Sequence, residues 1–152
     1  MDILTAQIDN KKISFYVRDV DRVLHAVELT ELPGHPDIMP GVINFHGEIL
    51  PVFDIRRKFA LPDKTVDPED KIIILKNGGR RFAVYVDSIL NSLSVPEWKI
   101  KNIDSSWPEL NYKDSMLDTA GELVIINNAG DFFLNVDIYE LDEILKKISD
   151  RS

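Results

Sequence analysis

Histidine and carboxylate side chains are the groups in this chain that could bind a metal ion. The three histidines, His25, His35 and His46, are widely spaced along the sequence. They match no compact ligand pattern such as H-E-x-x-H, in which one helix face presents two histidines. The chain has no cysteine, which excludes thiolate ligands and disulfide bonds. The sequence therefore predicts no metal site, and a histidine-based metalloenzyme on a β-barrel is the less favoured alternative.

Acidic residues also occur close together, as at Asp19 and Asp21 and within residues 67–70. Paired carboxylates catalyse proton transfer only where their environments separate their pKa values, and both groups lie in polar segments typical of solvated loops. The sequence contains no G-x-S-x-G, P-loop or G-x-G-x-x-G motif. We therefore predict a binding protein with no catalytic residues and no cofactor.

Composition limits the partners of such a protein. The 152 residues include 26 acidic and 18 basic side chains, which gives a net charge of −8. An acidic surface repels phosphate backbones and anionic membranes, so nucleic acid is not an expected partner. No run approaches the roughly 18 apolar residues of a membrane span, and the first residues lack the pattern of a secretory signal. We therefore expect a cytoplasmic protein that does not insert into the membrane.

Most apolar runs have the length of strands. Three pairs of runs flank short polar or glycine-containing turns and predict three β-hairpins, within residues 3–17, 71–86 and 122–136. The helical spacing of apolar residues within 17–24 predicts one or two helical turns, and residues 25–32 resemble a strand. The pattern as a whole, with about nine short strands, predicts a small all-β barrel architecture.

Three further features carry structural expectations. Pro51 cannot donate a backbone hydrogen bond, so its strand is predicted to be an edge strand or to contain a bulge. Trp98 and Trp107 are predicted to be core residues that fix a loop. Asp137 is predicted to cap a C-terminal helix whose apolar residues share one face.

Residues 41–59 read GVINFHGEILPVFDIRRKF. This stretch resembles the central motif of the CheW-like domains of bacterial chemotaxis, G-V-x-N-L-R-G-x-I-x-P-V-x-D-L-R-x-x-F. The matching positions are Gly41, Val42, Asn44, Gly47, Ile49, Pro51, Val52, Asp54, Arg56 and Phe59. Residues 32–36, 80–100 and 130–145 are similar to other parts of the family pattern, so the resemblance treats residues 1–152 as one CheW-like domain.

The resemblance implies a fold and a function. The implied fold is two SH3-like five-stranded β-barrel subdomains packed together, with a C-terminal helix. The implied function is that of a non-catalytic adaptor, which couples the cytoplasmic helical tips of chemoreceptors to the regulatory domain of a histidine autokinase. An accessory adaptor in a non-flagellar chemosensory pathway is the alternative within the same fold.

The resemblance also assigns roles to individual residues. Receptor contacts are expected at Val20, Arg22, His46 and Glu48. The other motif residues are expected to fix turns and strand register; they are Gly41, Asn44, Gly47, Pro51, Asp54, Arg56 and Asp87.

At two of the contact positions the chain departs from the family pattern. It has Arg22 where the family usually has glutamate, and His46 where the family usually has arginine. These replacements change both the charge and the reach of the side chains. We hypothesise that they adapt the surface to a particular receptor class, with Glu48 or Asp21 compensating the charge of Arg22.

Overall fold

The computed structural model describes residues 1–32, 39–102, 115–119, 122–133 and 136–151. Within them, twelve strands form two sheets of six strands each. In chain order the strands are β1 (Asp2–Ile8), β2 (Lys11–Tyr16), β3 (Val20–His25), β4 (Thr30–Glu31), β5 (Gly41–Phe45), β6 (Glu48–Phe53), β7 (Lys71–Asn77), β8 (Arg80–Val86), β9 (Ser88–Ser94), β10 (Ile100–Asn102), β11 (Ser115–Thr119) and β12 (Glu122–Asn127). The described helices are α1 (Ile55–Lys58) and α2 (Ile138–Arg151).

The first sheet, sheet A, has the strand order β10-β11-β12-β2-β1-β9. It joins two distant parts of the chain, because β1 pairs with β9 and β12 pairs in parallel with β2. The second sheet, sheet B, has the order β3-β7-β8-β6-β5-β4 and comes from the intervening segment. The predicted arrangement of two β subdomains with a C-terminal helix is confirmed. Each sheet reaches six strands through one very short edge strand, β4 or β10.

Sheet B curves around its own apolar cluster. Side chains from β3 and β5, which lie far apart in the strand order, pack into one cluster, as Leu24 and Ile43 show. Strand β7 is buried on both faces: Ile72 and Ile74 face this cluster, whereas Ile73 and Leu75 belong to the larger cluster between the sheets. The curvature brings the start of β3, at Asp21 and Arg22, close to the β5–β6 turn.

A larger cluster lies between the two sheets. It combines residues of sheet A, such as Phe15, with residues of sheet B, such as Phe53 and Phe82, and with Leu141 of α2. These four side chains are at most 2% exposed. The two subdomains therefore share one core, and α2 is attached to it.

The predicted hairpins at residues 3–17 and 71–86 are confirmed. The predicted hairpin at 122–136 is wrong, because β12 pairs with β11 and β2 while Ala129–Phe133 forms a 3-10 turn. Gly130 and its neighbours turn the chain there toward α2 instead of reversing it into another strand.

Two local predictions upstream are also wrong in part. Val17–Asp19 forms a single 3-10 turn, but Val20–His25 is strand β3, because its residues pair with β7. The predicted strand at 25–32 is reduced to β4. Local spacing suggested a helix here, and pairing with a neighbouring strand overrides it.

Pro51 does not lie in an edge strand, since β6 is placed between β8 and β5. The parallel pairing with β8 involves only Val52 and Phe53, so it begins after the proline and needs no donor from it. Trp98 is 77% exposed and is therefore not the core residue that we predicted, while Trp107 and His35 lie outside the described residues. The predicted cap of α2 is present, because the Glu140 amide donates to Asp137 Oδ1 at 3.2 Å.

Gly41 allows β4 and β5 to approach each other closely. A Cβ atom at this position would lie 2.3 Å from the backbone oxygen of Thr30 and 2.5 Å from Leu29 Cδ1. The side chain of Leu29 can move, but the Thr30 carbonyl belongs to the paired strand and cannot. The glycine is therefore required by the strand pairing itself.

We expect Gly41→Ala to lower the free energy of unfolding by about 1–3 kcal/mol, since overpacking against fixed backbone forces the strands apart. Urea denaturation would measure the loss. The same substitution in a Leu29→Ala background is the control, because removing the flexible side chain should not restore stability. Recovery in that background would show that the glycine only makes room for Leu29.

Candidate functional site

The β5–β6 turn contains the histidine and glycine of the motif. Phe45 pairs with Glu48, so His46 and Gly47 are the two turn residues, and their φ angles are 50° and 85°. Two positive φ values are typical of the tight turns that fit the twist of a hairpin. Asn44 Oδ1 accepts a hydrogen bond from the Gly47 amide at 2.9 Å. Asn44 and Gly47 therefore hold the turn, and His46 extends from it with an exposed side chain.

The positive φ angle of His46 is expected to reduce the free energy of unfolding. We expect His46→Asn to raise the free energy of unfolding by up to about 1 kcal/mol, because asparagine tolerates positive φ better than most residues. The matched control is His46→Val, which should lower the free energy of unfolding by about 1–2 kcal/mol because a β-branched residue is strained there. Thermal denaturation of both variants would contradict this account if valine were tolerated as well as asparagine.

Phe45 forms the base of a charged cluster next to this turn. Its side chain is only 8% exposed and belongs to the apolar cluster of sheet B. The guanidinium carbons of Arg22 and Arg81 lie 5.4 and 5.6 Å from the centre of its ring, and the His46 ring meets it edge-on with centroids 4.4 Å apart. Cations over an aromatic face are attracted by its quadrupole. One buried ring thus positions three side chains at the surface.

Arg81 is the member of this cluster that sequence reasoning missed. It donates to Asp21 Oδ2 at 3.0 Å and also to Glu48 Oε2, so it bridges β3 and β6 from its place on β8. The expected compensation of Arg22 by Asp21 or Glu48 is therefore wrong: both carboxylates pair with Arg81. The available signal was the Arg80-Arg81 pair that starts β8, but its cross-strand partners depend on sheet order.

The structure brings Arg22, His46 and Glu48 together and separates Val20 from them. Val20 is half-buried and packs against the core shared by the two sheets. The register of β3 shifts between Val20 and Arg22, which accounts for their different environments. We call the group of side chains around the Phe45 ring the Phe45 cluster. It comprises Asp21, Arg22, Phe45, His46, Glu48 and Arg81.

A groove adjoins the Phe45 cluster. It has a volume of about 200 Å³ and lies between β6, the β7–β8 turn and α2. Its apolar lining comprises Ile49, Leu50, Pro51, Phe133, Leu141 and Leu145. Glu48 and Arg81 belong both to the groove and to the cluster. The bidentate pair of Arg80 with Asp142 fixes α2 beside it, with N–O distances of 2.5 and 2.8 Å.

The remaining motif residues connect the two subdomains. Asp54 caps α1 by accepting from the amides of Arg56 and Arg57, at 3.0 and 3.3 Å. Arg56 then reaches Asp9 in the β1–β2 turn, at 3.0 Å to both carboxylate oxygens, and Asp87 between β8 and β9, at 2.8 Å. This arginine therefore links a turn of sheet A to the end of sheet B.

Asp87 has a second role in the same link, because its Oδ2 accepts from the Asp9 amide at 2.7 Å. Partial burial raises the pKa of Asp87, but the Asp9 amide and the Arg56 guanidinium outweigh this and hold its pKa below the usual value. Burial likewise lowers the pKa of Arg56, and its hydrogen bonds to Asp87 and Asp9 more than reverse that effect. Arg56 and Asp87 thus form a charge-assisted pair at this link.

Within the part of the chain that the structure describes, no group of three histidine, aspartate or glutamate side chains is placed to hold a metal ion. Among the same residues, no helix is long and apolar enough to cross a membrane.

The fold defines an all-β domain of two barrel-like subdomains that share a core and carry a C-terminal helix. The chain belongs to the CheW-like domain family, whose model matches residues 2–133. The match includes both sheets and ends before α2.

Curated relatives agree with this assignment. The chain is 27% identical over 100 residues to the chemotaxis protein CheW of Klebsiella aerogenes. This alignment covers 66% of this chain and 60% of that protein. It is 27% identical over 113 residues to the chemotaxis protein CheW of Bacillus subtilis, covering 74% and 70% of the two chains. It is similar in fold to the scaffolding protein TtCheW of Thermoanaerobacter tengcongensis, with a TM-score of 0.80, 22% identity and 90% of each chain covered.

Proposed function

We propose that this protein couples the cytoplasmic helical tips of chemoreceptors to the regulatory domain of a histidine autokinase, without catalysing a reaction. The observation that carries the proposal is the family match, which spans both subdomains. The function requires two surfaces that can be occupied at the same time, because the adaptor must hold a receptor and a kinase together. The two subdomains supply one surface each.

The receptor surface is proposed to be the Phe45 cluster with its adjoining groove. An amphipathic helix binds by placing its apolar residues in a groove while polar residues meet the rim. The groove beside α2 has an apolar lining, and Arg81 and Glu48 stand at its edge. A receptor tip is helical and amphipathic, so its chemistry fits this arrangement.

The kinase surface is proposed to lie on sheet A, away from the Phe45 cluster. Strand β9 is at one end of the strand order, and its Leu90 and Leu93 are 42% and 38% exposed. Trp98 follows in the next turn and is 77% exposed. Exposed apolar strand residues and tryptophan are typical of protein interfaces. Barrel-to-barrel contact with the regulatory domain would cover them.

A three-component pull-down tests the proposal. Immobilised kinase regulatory domain should retain a receptor-tip fragment only when the wild-type protein is present. Trp98→Ala should reduce capture by the kinase domain and leave direct binding to the receptor tip unchanged, since the two surfaces are separate. If neither partner were retained, the coupling function would be wrong.

A further inference from the structure

We propose that Arg22 selects partner helices that carry a carboxylate at the position facing it. This inference rests on the proposed function, because it takes the partner to be a receptor tip bound at the Phe45 cluster. The inference specifies that the partner helix must carry a negative charge. Neither the fold nor the family match specifies this.

The pairing within the Phe45 cluster leads to this inference. Asp21 and Glu48 are the nearest acidic residues in the sequence to Arg22 and to the turn, and both are engaged by Arg81. Among the residues that the structure describes, Arg22 makes no ion pair with a carboxylate. The exposed Arg22 side chain is placed instead on the ring of Phe45. Arg81 therefore pairs with both carboxylates of the cluster, and Arg22 is left to pair with a carboxylate of a partner.

The support beneath Arg22 makes it suitable for recognition. Phe45 is buried and fixed in the core of sheet B, so the guanidinium that lies over it is held in a limited region. An arginine that is ordered before binding loses less conformational entropy when it forms its pair. Its planar face can stack on the ring while its N–H groups still donate to a carboxylate at the edge.

The charges around Arg22 restrict which partner helices can bind. The chain carries a net charge of −8, so an acidic partner would be repelled by most of its surface. Binding at Arg22 then depends on a local charge match combined with apolar contacts in the adjoining groove. A basic residue on the partner at this position would meet Arg22 directly, and such like-charge contacts oppose association.

The test uses receptor-tip fragments from the chromosome that encodes this chain, with binding measured by calorimetry or surface plasmon resonance. Arg22→Glu should weaken binding of the captured tip by about tenfold or more, and Arg22→Gln should give an intermediate loss. Changing exposed tip glutamates one at a time to lysine should identify one position at which Arg22→Glu binds better than the wild type. The expected result is that this charge swap, Arg22→Glu with the matching tip lysine, restores binding.

Arg18→Glu is the matched control. Arg18 is also exposed and lies over an aromatic ring, with its guanidinium carbon 4.5 Å from the centre of Tyr16. Its replacement makes the same change in net charge but lies on the sheet A side, so tip binding should be nearly unchanged. Thermal denaturation of both variants should show equal folding.

The outcomes separate this inference from the proposed function. If the wild type binds a tip and Arg22→Glu binds it equally well, the inference about Arg22 is overturned while the adaptor function stands. If Arg18→Glu and Arg22→Glu weaken binding equally, the effect is one of total charge, and the selective role of Arg22 is again overturned. If the wild type binds no tip, the proposed receptor contact fails, and the inference fails with it.

Discussion

Phe82→Ala is expected to lower the free energy of unfolding by about 3–5 kcal/mol, which is the usual cost of removing a buried aromatic side chain. Phe82 is fully buried and packs edge-on against Phe53, with ring centroids 5.2 Å apart. Phe132 and Phe133, which follow β12, lie 5.4 and 5.1 Å from it. The cavity would therefore affect residues from both subdomains at once.

Because the core is shared, the loss should not be confined to sheet B. We expect Phe82→Ala to shift a single unfolding transition to lower urea concentration, with tryptophan fluorescence and far-ultraviolet circular dichroism changing together. Leu90→Ala is the control, since Leu90 is 42% exposed and its loss should cost no more than about 0.5 kcal/mol. Two separate transitions in the Phe82 variant would show that the subdomains have independent cores.

Arg56→Met is expected to lower the free energy of unfolding by about 2 kcal/mol, because it removes charge-assisted hydrogen bonds and leaves two carboxylates close together. The Arg56 side chain is 12% exposed, whereas those of Asp87 and Asp9 are 28% and 38% exposed. Solvent screening therefore limits the stabilisation that the ion pairs provide. The more exposed Arg56–Asp9 pair contributes less than the Arg56–Asp87 pair.

The same variant should have a characteristic pH dependence. The pKa of Asp87 is depressed in the folded protein. Such a group stabilises the fold above its unfolded pKa of about 3.9, and the contribution is lost as the pH falls through the folded pKa. The difference in stability between wild type and Arg56→Met should thus be constant above about pH 5 and shrink below about pH 4. Denaturation across this range would measure it.

Arg57→Met provides a matched control on the same helix. Its side chain is 47% exposed, and its contacts with Asp54 and Asp63 are 4.0 Å long. Exposed pairs of this kind contribute about 0–1 kcal/mol. If Arg57→Met cost as much as Arg56→Met, the link between subdomains would not explain the stability of the motif.

Sequence reasoning succeeded where a short-range physical rule determined the structure. The Gly78-Gly79 turn required positive φ, and Asp137 could cap a helix without reference to any distant residue. The spacing of the motif from Gly41 to Phe59 identified the family, and with it the two β subdomains. Local patterns could not give the parallel pairing of β12 with β2, because nothing in either strand encodes its partner.

The candidate site was predictable only in part for the same reason. Arg22, His46 and Glu48 were assigned from a family pattern, and the curvature of sheet B does bring them together. Arg81 could not be found, since its partners on β3 and β6 lie far away in the sequence. Val20 lies apart from these three residues because of a register shift in β3, which local sequence does not reveal and which changes the face on which its side chain lies.

The strand order has a consequence for how the protein is made. All strands of sheet B come from one continuous segment, whereas β1 and β2 must wait for β9 and β12 before sheet A is complete. Contacts between residues that are distant in sequence form slowly, because a long loop must close first. In pulse-labelled refolding, amides of β7 and β8 should become protected before those of β12. In a nascent chain emerging from the ribosome, both outer edges of the β1–β2 hairpin would then remain unpaired while sheet B folds. The aggregation-prone interval would end only when β9 and β12 arrive.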